Sequence, residues 1–241
     1  MNRVTAILPA AGLGTRMGAE TPKQFLELDG VPVLLFTVRR LAGCPAITDF
    51  VISTRAEEID SVTSGVASLN LGRTVRVVRG GNTRQESVAN ALTHVPTESN
   101  LILVHDAVRP LVTRVQIERV IAEADACDAA ILGVPAMDTV KEVKRTTPQG
   151  GSSDVALITA TIPRERVVLA QTPQVFRTTV LLEAFARARQ DGVTASDEAG
   201  LVERLGLDVH VVAGSERNLK ITRPGDIELA EFYLAQERAG R

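Results

Sequence analysis

The apolar run Val4-Thr5-Ala6-Ile7-Leu8 empties into Pro9-Ala10-Ala11-Gly12-Leu13-Gly14-Thr15-Arg16-Met17-Gly18 and then Pro22-Lys23. A strand that ends in a glycine-rich loop is suited to a polyphosphate. Gly12 and Gly14 remove side chains where backbone N–H groups must face phosphate oxygens, and a following helical turn adds its positive end. Arg16 offers a planar fork and Lys23 a compact charge, both suited to charge that builds on a phosphoryl group in transfer. The spacing of Gly12, Gly14 and Gly18 fits neither the dinucleotide fingerprint nor the Walker pattern. The second apolar run, Phe50 to Thr54, leads to Arg55 and supplies no acidic residue for a ribose. Nucleotide binding without nicotinamide is favoured over a structural turn with surface cations.

Outward from this loop, short apolar runs alternate with helical patterns. The strand candidates are Val4–Leu8, Phe50–Thr54, Val75–Val78, Leu101–His105, Ala129–Val134, Val167–Leu169 and Val209–Ala213. Helices are expected over Pro32–Leu41, Arg84–Val95, Val115–Ala126, Thr178–Gln190, Ser196–Leu205 and Pro224–Ala235. This rhythm predicts an α/β fold of three layers, a mostly parallel mixed sheet with helices on both faces, in one domain over 1–241. Residues 139–164 break it. Two β-tending pieces, Thr139–Lys144 and Val155–Thr161, flank a turn containing Pro148, Gln149, Gly150 and Gly151, which reads as a protruding β-hairpin arm. Such a ribbon is marginal alone and needs the body or another subunit to pack on.

Composition narrows the classes. The chain has 241 residues, 44% of them hydrophobic, enough for a sizeable core, which excludes disorder for the bulk of it. A formal charge of −2 supplies no broad positive field, so nucleic acid is not an expected partner. Cys44 and Cys127 lack metal-ligand spacing and read as thiols of a reducing cytoplasm. No apolar run approaches the ~20 residues of a membrane span. A soluble, cytoplasmic protein is expected.

Further polar clusters stand where strands end. Gly80-Gly81-Asn82-Thr83-Arg84-Gln85-Glu86-Ser87 leads into a helix and reads either as a capped glycine turn or as a close approach to a base or phosphate. His105-Asp106-Ala107-Val108-Arg109-Pro110 follows a hydrophobic strand; Asp106 is placed to meet a magnesium ion bridging phosphates, and His105 reads as a base or as a hydrogen-bonded loop residue. Gln171-Thr172-Pro173-Gln174 is expected to bend the chain sharply. In Thr194 to Glu198, Ser196 is expected to cap a helix, with Asp197 and Glu198 complementing its dipole. Asn218-Leu219-Lys220-Ile221-Thr222 reads as a short strand carrying a lysine to an edge or a site.

As an ordered set, these blocks resemble the cytidylyltransferases of the non-mevalonate isoprenoid pathway, which make 4-diphosphocytidyl-2-C-methyl-D-erythritol from CTP and 2-C-methyl-D-erythritol 4-phosphate. The opening loop alone indicates only the broader nucleotidyltransferase superfamily with its glycosyltransferase-A-like fold; Asp138-Thr139-Val140-Lys141 and the blocks above add the specificity. The resemblance implies a triphosphate site at Pro9, Ala10, Ala11, Gly12, Gly14, Arg16 and Lys23, with Gly81, Asn82 and Ser87 near cytosine and ribose. Asp106 would stand by the ribose and magnesium. It also implies an acceptor site at Thr139, Arg164, Ser196, Lys220 and Thr222. In that family the arm embraces a second subunit, so Arg164 would act on the partner's substrate in a homodimer. Arg16, Lys23, Arg164 and Lys220 become the catalytic cations. Asn82 stands where the family often has an acid, and Ser196 where it often has threonine. A related enzyme joining CTP to another polyol phosphate, such as ribitol 5-phosphate, shares the opening loop and the Asp106 neighbourhood.

Overall fold

A computed structural model describes residues 2–12, 22–145 and 156–240, with only the backbone of Arg145. Gly14, Arg16 and the turn Pro148 to Gly151 lie outside the described residues. The architecture follows from how β1 (Val4–Pro9) divides its side chains. Val4, Ala6 and Leu8 enter one core with Leu34, Val38, Val62, Ile117 and Val120, whereas Ile7 enters a second with Val88, Ile102, Leu181, Phe185 and Val202. Successive strand residues point to opposite faces, so a strand apolar on both faces needs a helical layer on each. The first layer is α1 (Val33–Ala42), α2 (Ile59–Ala67) and α4 (Arg114–Cys127). The second is α3 (Arg84–Leu92), α5 (Thr178–Asp191) and α6 (Glu198–Glu203).

Two short pairing strands, β2 (Glu27–Leu28) and β3 (Val31–Pro32), precede α1. The central sheet is completed by β4 (Ile47–Thr54), β5 (Thr74–Arg79), β6 (Leu101–Val104), β7 (Ala129–Pro135), β10 (Val168–Arg177) and β11 (His210–Ala213), in the order β11-β7-β10-β6-β1-β4-β5. Only β10 runs against its neighbours, β6 and β7. From β1 the chain winds out through β4 and β5, then crosses back to β6 on the other side of β1. That reversal opens a crevice at the carboxyl ends of β1 and β6, where ligands of open α/β sheets bind. The last helix, α7 (Gly225–Ala239), packs Ala230 and Leu234 with Leu28, Val33 and Ile221 in a smaller cluster.

The expected arm is present as β8 (Val140–Arg145) paired antiparallel with β9 (Ala156–Ile162), a two-stranded sheet separate from the central one. Four sequence-based expectations need correction. The strand expected over Val167–Leu169 is longer: β10 runs on through Gln171 to Gln174, where a bend was expected, with a register irregularity against β7 between Gln171 and Gln174. Asn218 to Thr222 is not a strand but irregular chain, anchored by the Ile221 N–H on the Val108 carbonyl at 2.9 Å and by burial of the Ile221 side chain. Asp197, not Ser196, caps α6, accepting the Gly200 N–H at 3.1 Å. Finally, α2 was not foreseen, because its buried stripe is only Val62 and Val66 among Ser, Thr and Gly.

Candidate active site

A cavity of about 220 Å³ opens where the crevice was expected. Pro9, Ala10, Ala11 and Gly12 from the chain after β1 line it, with Lys23, Gly81, Asn82, Ser87, Asp106 and Lys220. The structure therefore brings together ten of the residues singled out in the sequence, from four separate blocks. Thr139, Arg164, Ser196 and Thr222 do not line it. Thr139 and Ser196 are exposed, and the Thr222 hydroxyl donates to Asp226 Oδ2 at 3.0 Å at the start of α7. Arg164 lies at the base of the arm, its side chain 56% exposed, and donates to the Met137 carbonyl at 2.8 Å.

The first wall is fixed by Gln24, a residue that sequence reading passed over. Its amide is almost wholly buried and donates to the Ala10 carbonyl at 2.8 Å and the Gly12 carbonyl at 3.2 Å. The neighbour of Lys23 is thus latched to the chain leaving β1, which places the lysine and the loop on one support. Such a bond forms only when the chain folds back, so no local pattern announces it.

The second wall is the glycine turn. The Gly81 N–H donates to Ser87 Oγ at 3.1 Å, and that hydroxyl donates to the Thr83 carbonyl at 2.8 Å, closing the turn on the first turn of α3. Thr83 caps α3 by accepting the Glu86 N–H. A methyl group on Gly80 would stand 2.5 Å from the Ala11 Cβ and 3.3 Å from the Thr54 carbonyl oxygen. The two walls touch there, and only hydrogen fits between them. Gly80→Ala is expected to push the walls apart, raising the KM for nucleotide roughly tenfold at a stability cost of about 1–3 kcal/mol. Steady-state kinetics beside a urea titration test this; an unchanged KM would refute the close approach.

The floor is ionic. Asp106 is 6% exposed; its Oδ1 accepts from Arg84 Nε at 3.1 Å, and its Oδ2 from Lys220 Nζ at 2.9 Å and Arg109 Nε at 3.3 Å. Burial alone would raise this carboxyl, but Arg84 and Lys220, with Arg109, hold it well below the usual carboxylate range. Behind it, Glu198 is 1% exposed and grips Arg84 through both oxygens, at 2.7 and 3.0 Å. Against a burial penalty, Glu198 and Asp106 keep the Arg84 guanidinium firmly charged. Sequence reading saw Glu198 only as a helix-dipole acid. Burial pushes the Glu198 carboxyl up and Arg84 pulls it back; with both carboxylates ionised, three cations against two leave one net positive charge, suited to an anionic ligand.

His105 resolves as a structural residue. It is fully buried, its Nε2 faces the Arg109 carbonyl at 3.0 Å and its Nδ1 the Thr172 hydroxyl at 3.0 Å; that hydroxyl also accepts the Asp106 N–H at 3.0 Å. Burial pulls its pKa down from 6.5 to about 4, so the ring is neutral at ordinary pH. Between those values the unfolded chain binds the additional proton, so stability rises with pH and falls on acidification. The full loss is on the order of 3 kcal/mol. Urea unfolding at about pH 7 and pH 5 is expected to show a steeper fall for the wild type than for His105→Gln. Equal falls would contradict the buried neutral ring.

Away from the cavity, Glu123, Cys127 and His210 place ligand-type atoms within 4.8 Å of one another. Their groups are already engaged: His210 Nδ1 meets Glu123 Oε1 at 2.7 Å, and the Cys127 thiol, pushed up by burial, donates to the Glu123 carbonyl at 2.9 Å.

A glycine-lined, cation-bearing cavity at the switch point of a mostly parallel mixed sheet defines an α/β protein of the nucleotidyltransferase kind. Comparison with known proteins narrows this. The sequence profile of the 2-C-methyl-D-erythritol 4-phosphate cytidylyltransferase family matches residues 4–236. Proteins of that name from Acidobacterium capsulatum and Solibacter usitatus are 52% and 49% identical, over 97% and 98% of this chain and 98% of each relative. The crystal structure of the same-named protein of Thermus thermophilus, 34% identical, superposes with a TM-score of 0.74 over 96% of this chain and 98% of that one. The 4-diphosphocytidyl-2C-methyl-D-erythritol synthase of Anaerococcus prevotii, 26% identical, reaches 0.82 over 97% and 99%. The chain belongs to the 2-C-methyl-D-erythritol 4-phosphate cytidylyltransferase family.

Proposed function

We propose that this chain transfers the cytidylyl group of CTP to 2-C-methyl-D-erythritol 4-phosphate, releasing pyrophosphate. Beyond family membership, the observation that carries the reading is that one cavity collects Pro9 to Gly12, Lys23, the glycine turn before α3 and the Asp106–Lys220 pair. The acceptor's phosphate monoester is already an oxyanion, so it needs placement and relief of repulsion more than a general base. Lys23 faces the triphosphate and draws charge from it, together with Arg16. Lys220 holds the acceptor phosphate for in-line attack at the α-phosphorus. The bond to the bridging oxygen of pyrophosphate breaks, and the cations take up the charge that the leaving group acquires. Backbone groups about Gly81, with Asn82 and Ser87, contact cytosine and ribose.

Magnesium is part of the proposal, and the donor chemistry fits it. Asp106 is the one carboxylate among the described residues that line the cavity, and it stays ionised. A carboxylate has about four lone-pair sites, and three cations use three of them. One site is left for an ion held otherwise by phosphate oxygens and water, as is usual for magnesium. When bound, the ion supplies charge neutralisation to the triphosphate.

We further propose a homodimer, formed through the arm. Val143, Leu157, Ile158 and Ile162 are exposed on the ribbon, and Met137, Val168 and Leu169 at its base. An exposed apolar ribbon with free edges is suited to a second copy. Arg164 and Thr139, absent from the lining of their own cavity, would then complete the partner's acceptor site, with Ser196 and Thr222 supplied by the subunit that holds the CTP. No helix among the described residues is long and apolar enough to cross a membrane. We place the protein in the cytoplasm, which suits its two free cysteines. Pyrophosphate release from CTP and magnesium tests the acceptor: it is expected with 2-C-methyl-D-erythritol 4-phosphate, and faster release with ribitol 5-phosphate would replace this reading.

A further inference from the structure

We infer that Glu198 is a positioning residue for the reaction, acting through Arg84 and Asp106 to present Lys220. The inference rests on the function proposed above. Glu198 does not line the cavity, yet it is 1% exposed and both its oxygens are spent on the two terminal nitrogens of Arg84. The remaining guanidinium nitrogen, Nε, donates to Asp106 Oδ1. A planar fork gripped at one end has its other edge fixed in direction. The Asp106 carboxylate is thereby held at one oxygen and offers the other to Lys220 at 2.9 Å.

The grip is not confined to one pair. The next residue, Gln85, donates its amide to the Val193 carbonyl at 3.1 Å and accepts the Ala195 N–H at 2.9 Å. From β10, Gln174 donates to Asp197 Oδ2 at 2.9 Å and accepts the Ala199 N–H at 3.1 Å. Residues 193–199 are therefore clamped on both sides of Glu198, which cannot follow Arg84 if the arginine shifts.

The role has a reason in charge. Lys220 must neutralise Asp106 when the site is empty and yet turn to an acceptor phosphate when it is filled. With Arg84 locked in place, Asp106 keeps partners after Lys220 departs, so releasing the lysine does not strand a buried carboxylate. Without Glu198, Arg84 loses its fixed direction and the Asp106–Lys220 pair loses its support.

Glu198→Gln, made in the wild type and in Lys220→Ala, tests this with four readouts. Expected are a loss of roughly tenfold or more in kcat/KM for the acceptor, a KM for CTP within about threefold of wild type, and a loss shrinking below about threefold in the Lys220→Ala background. The fourth needs no turnover: limiting acylation of lysines, read by mass spectrometry, is expected to label Lys220 several-fold faster in Glu198→Gln. Unchanged labelling of Lys220, or an equal loss in both backgrounds, would overturn the inference. Should Glu198→Gln fail to fold, Arg84→Lys takes its place, since a lysine keeps the charge but cannot hold Glu198 and Asp106 together; wild-type labelling there would overturn it equally. Absence of acceptor-dependent turnover in the wild type would strike the proposed function, leaving the labelling result to decide the positioning role.

Discussion

Lys220→Ala is expected to lower kcat by roughly a hundredfold to a thousandfold while leaving the thermal midpoint within a few degrees of wild type. The separation of the two effects follows from the ion cluster. Asp106 keeps Arg84 and Arg109 when the lysine is removed, and the lysine side chain is itself about a third exposed, so little folding energy depends on it. On the proposed mechanism its value lies in the reaction, where its positive charge meets the attacking phosphate. Lys23→Ala is expected to behave alike on the nucleotide side, with its loss in turnover and its neighbour Gln24 still bonded to the Ala10 and Gly12 carbonyls. Stopped or continuous pyrophosphate assays with parallel calorimetry measure both. Wild-type turnover in either variant would remove that lysine from the mechanism.

The second large effect concerns the arm. Arg164→Ala and Lys220→Ala are each expected to be nearly inactive, but mixing the two proteins under conditions of subunit exchange is expected to restore activity to about a quarter of wild type. The figure follows from two-fold symmetry. Half the dimers in an equal mixture are hybrid, and in each hybrid one site has both a native Lys220 and a native Arg164 from its neighbour. No recovery, with exchange verified by mass, would mean that Arg164 does not act across a dimer. Arg164 stands at the base of an exposed ribbon, bonded to the Met137 carbonyl, and does not line its own cavity.

What the chain discloses before folding is uneven, and the residues show why. Pro9 to Gly12 and Lys23 are legible as cavity-lining residues because their signal is local: they follow directly on a strand. The central sheet is legible because each strand is a short apolar run between turn signals, and the arm because 139–164 lacks any helical period. The Arg84–Glu198 pair was hidden by separation. Its members lie 114 residues apart, each with a sufficient local explanation as a helix-start residue. The segment around Lys220 has the pattern of a strand, since Leu219 and Ile221 alternate with it; in the fold that alternation serves one backbone bond and one buried isoleucine. β10 continued past Pro173 because its pairing with β6 and β7 resumes at Gln174, a tertiary support that the local proline signal does not reveal.

On the proposed mechanism this cavity joins the α-phosphorus of CTP to the phosphate of 2-C-methyl-D-erythritol 4-phosphate. Its most direct test follows CTP labelled separately at the α- and γ-phosphorus through one turnover with that acceptor and magnesium. The α-label is expected in 4-diphosphocytidyl-2-C-methyl-D-erythritol and the γ-label in pyrophosphate, with both transfers suppressed in Lys23→Ala. Appearance of the γ-label on the acceptor, or an α-label that remains in CTP, would contradict it.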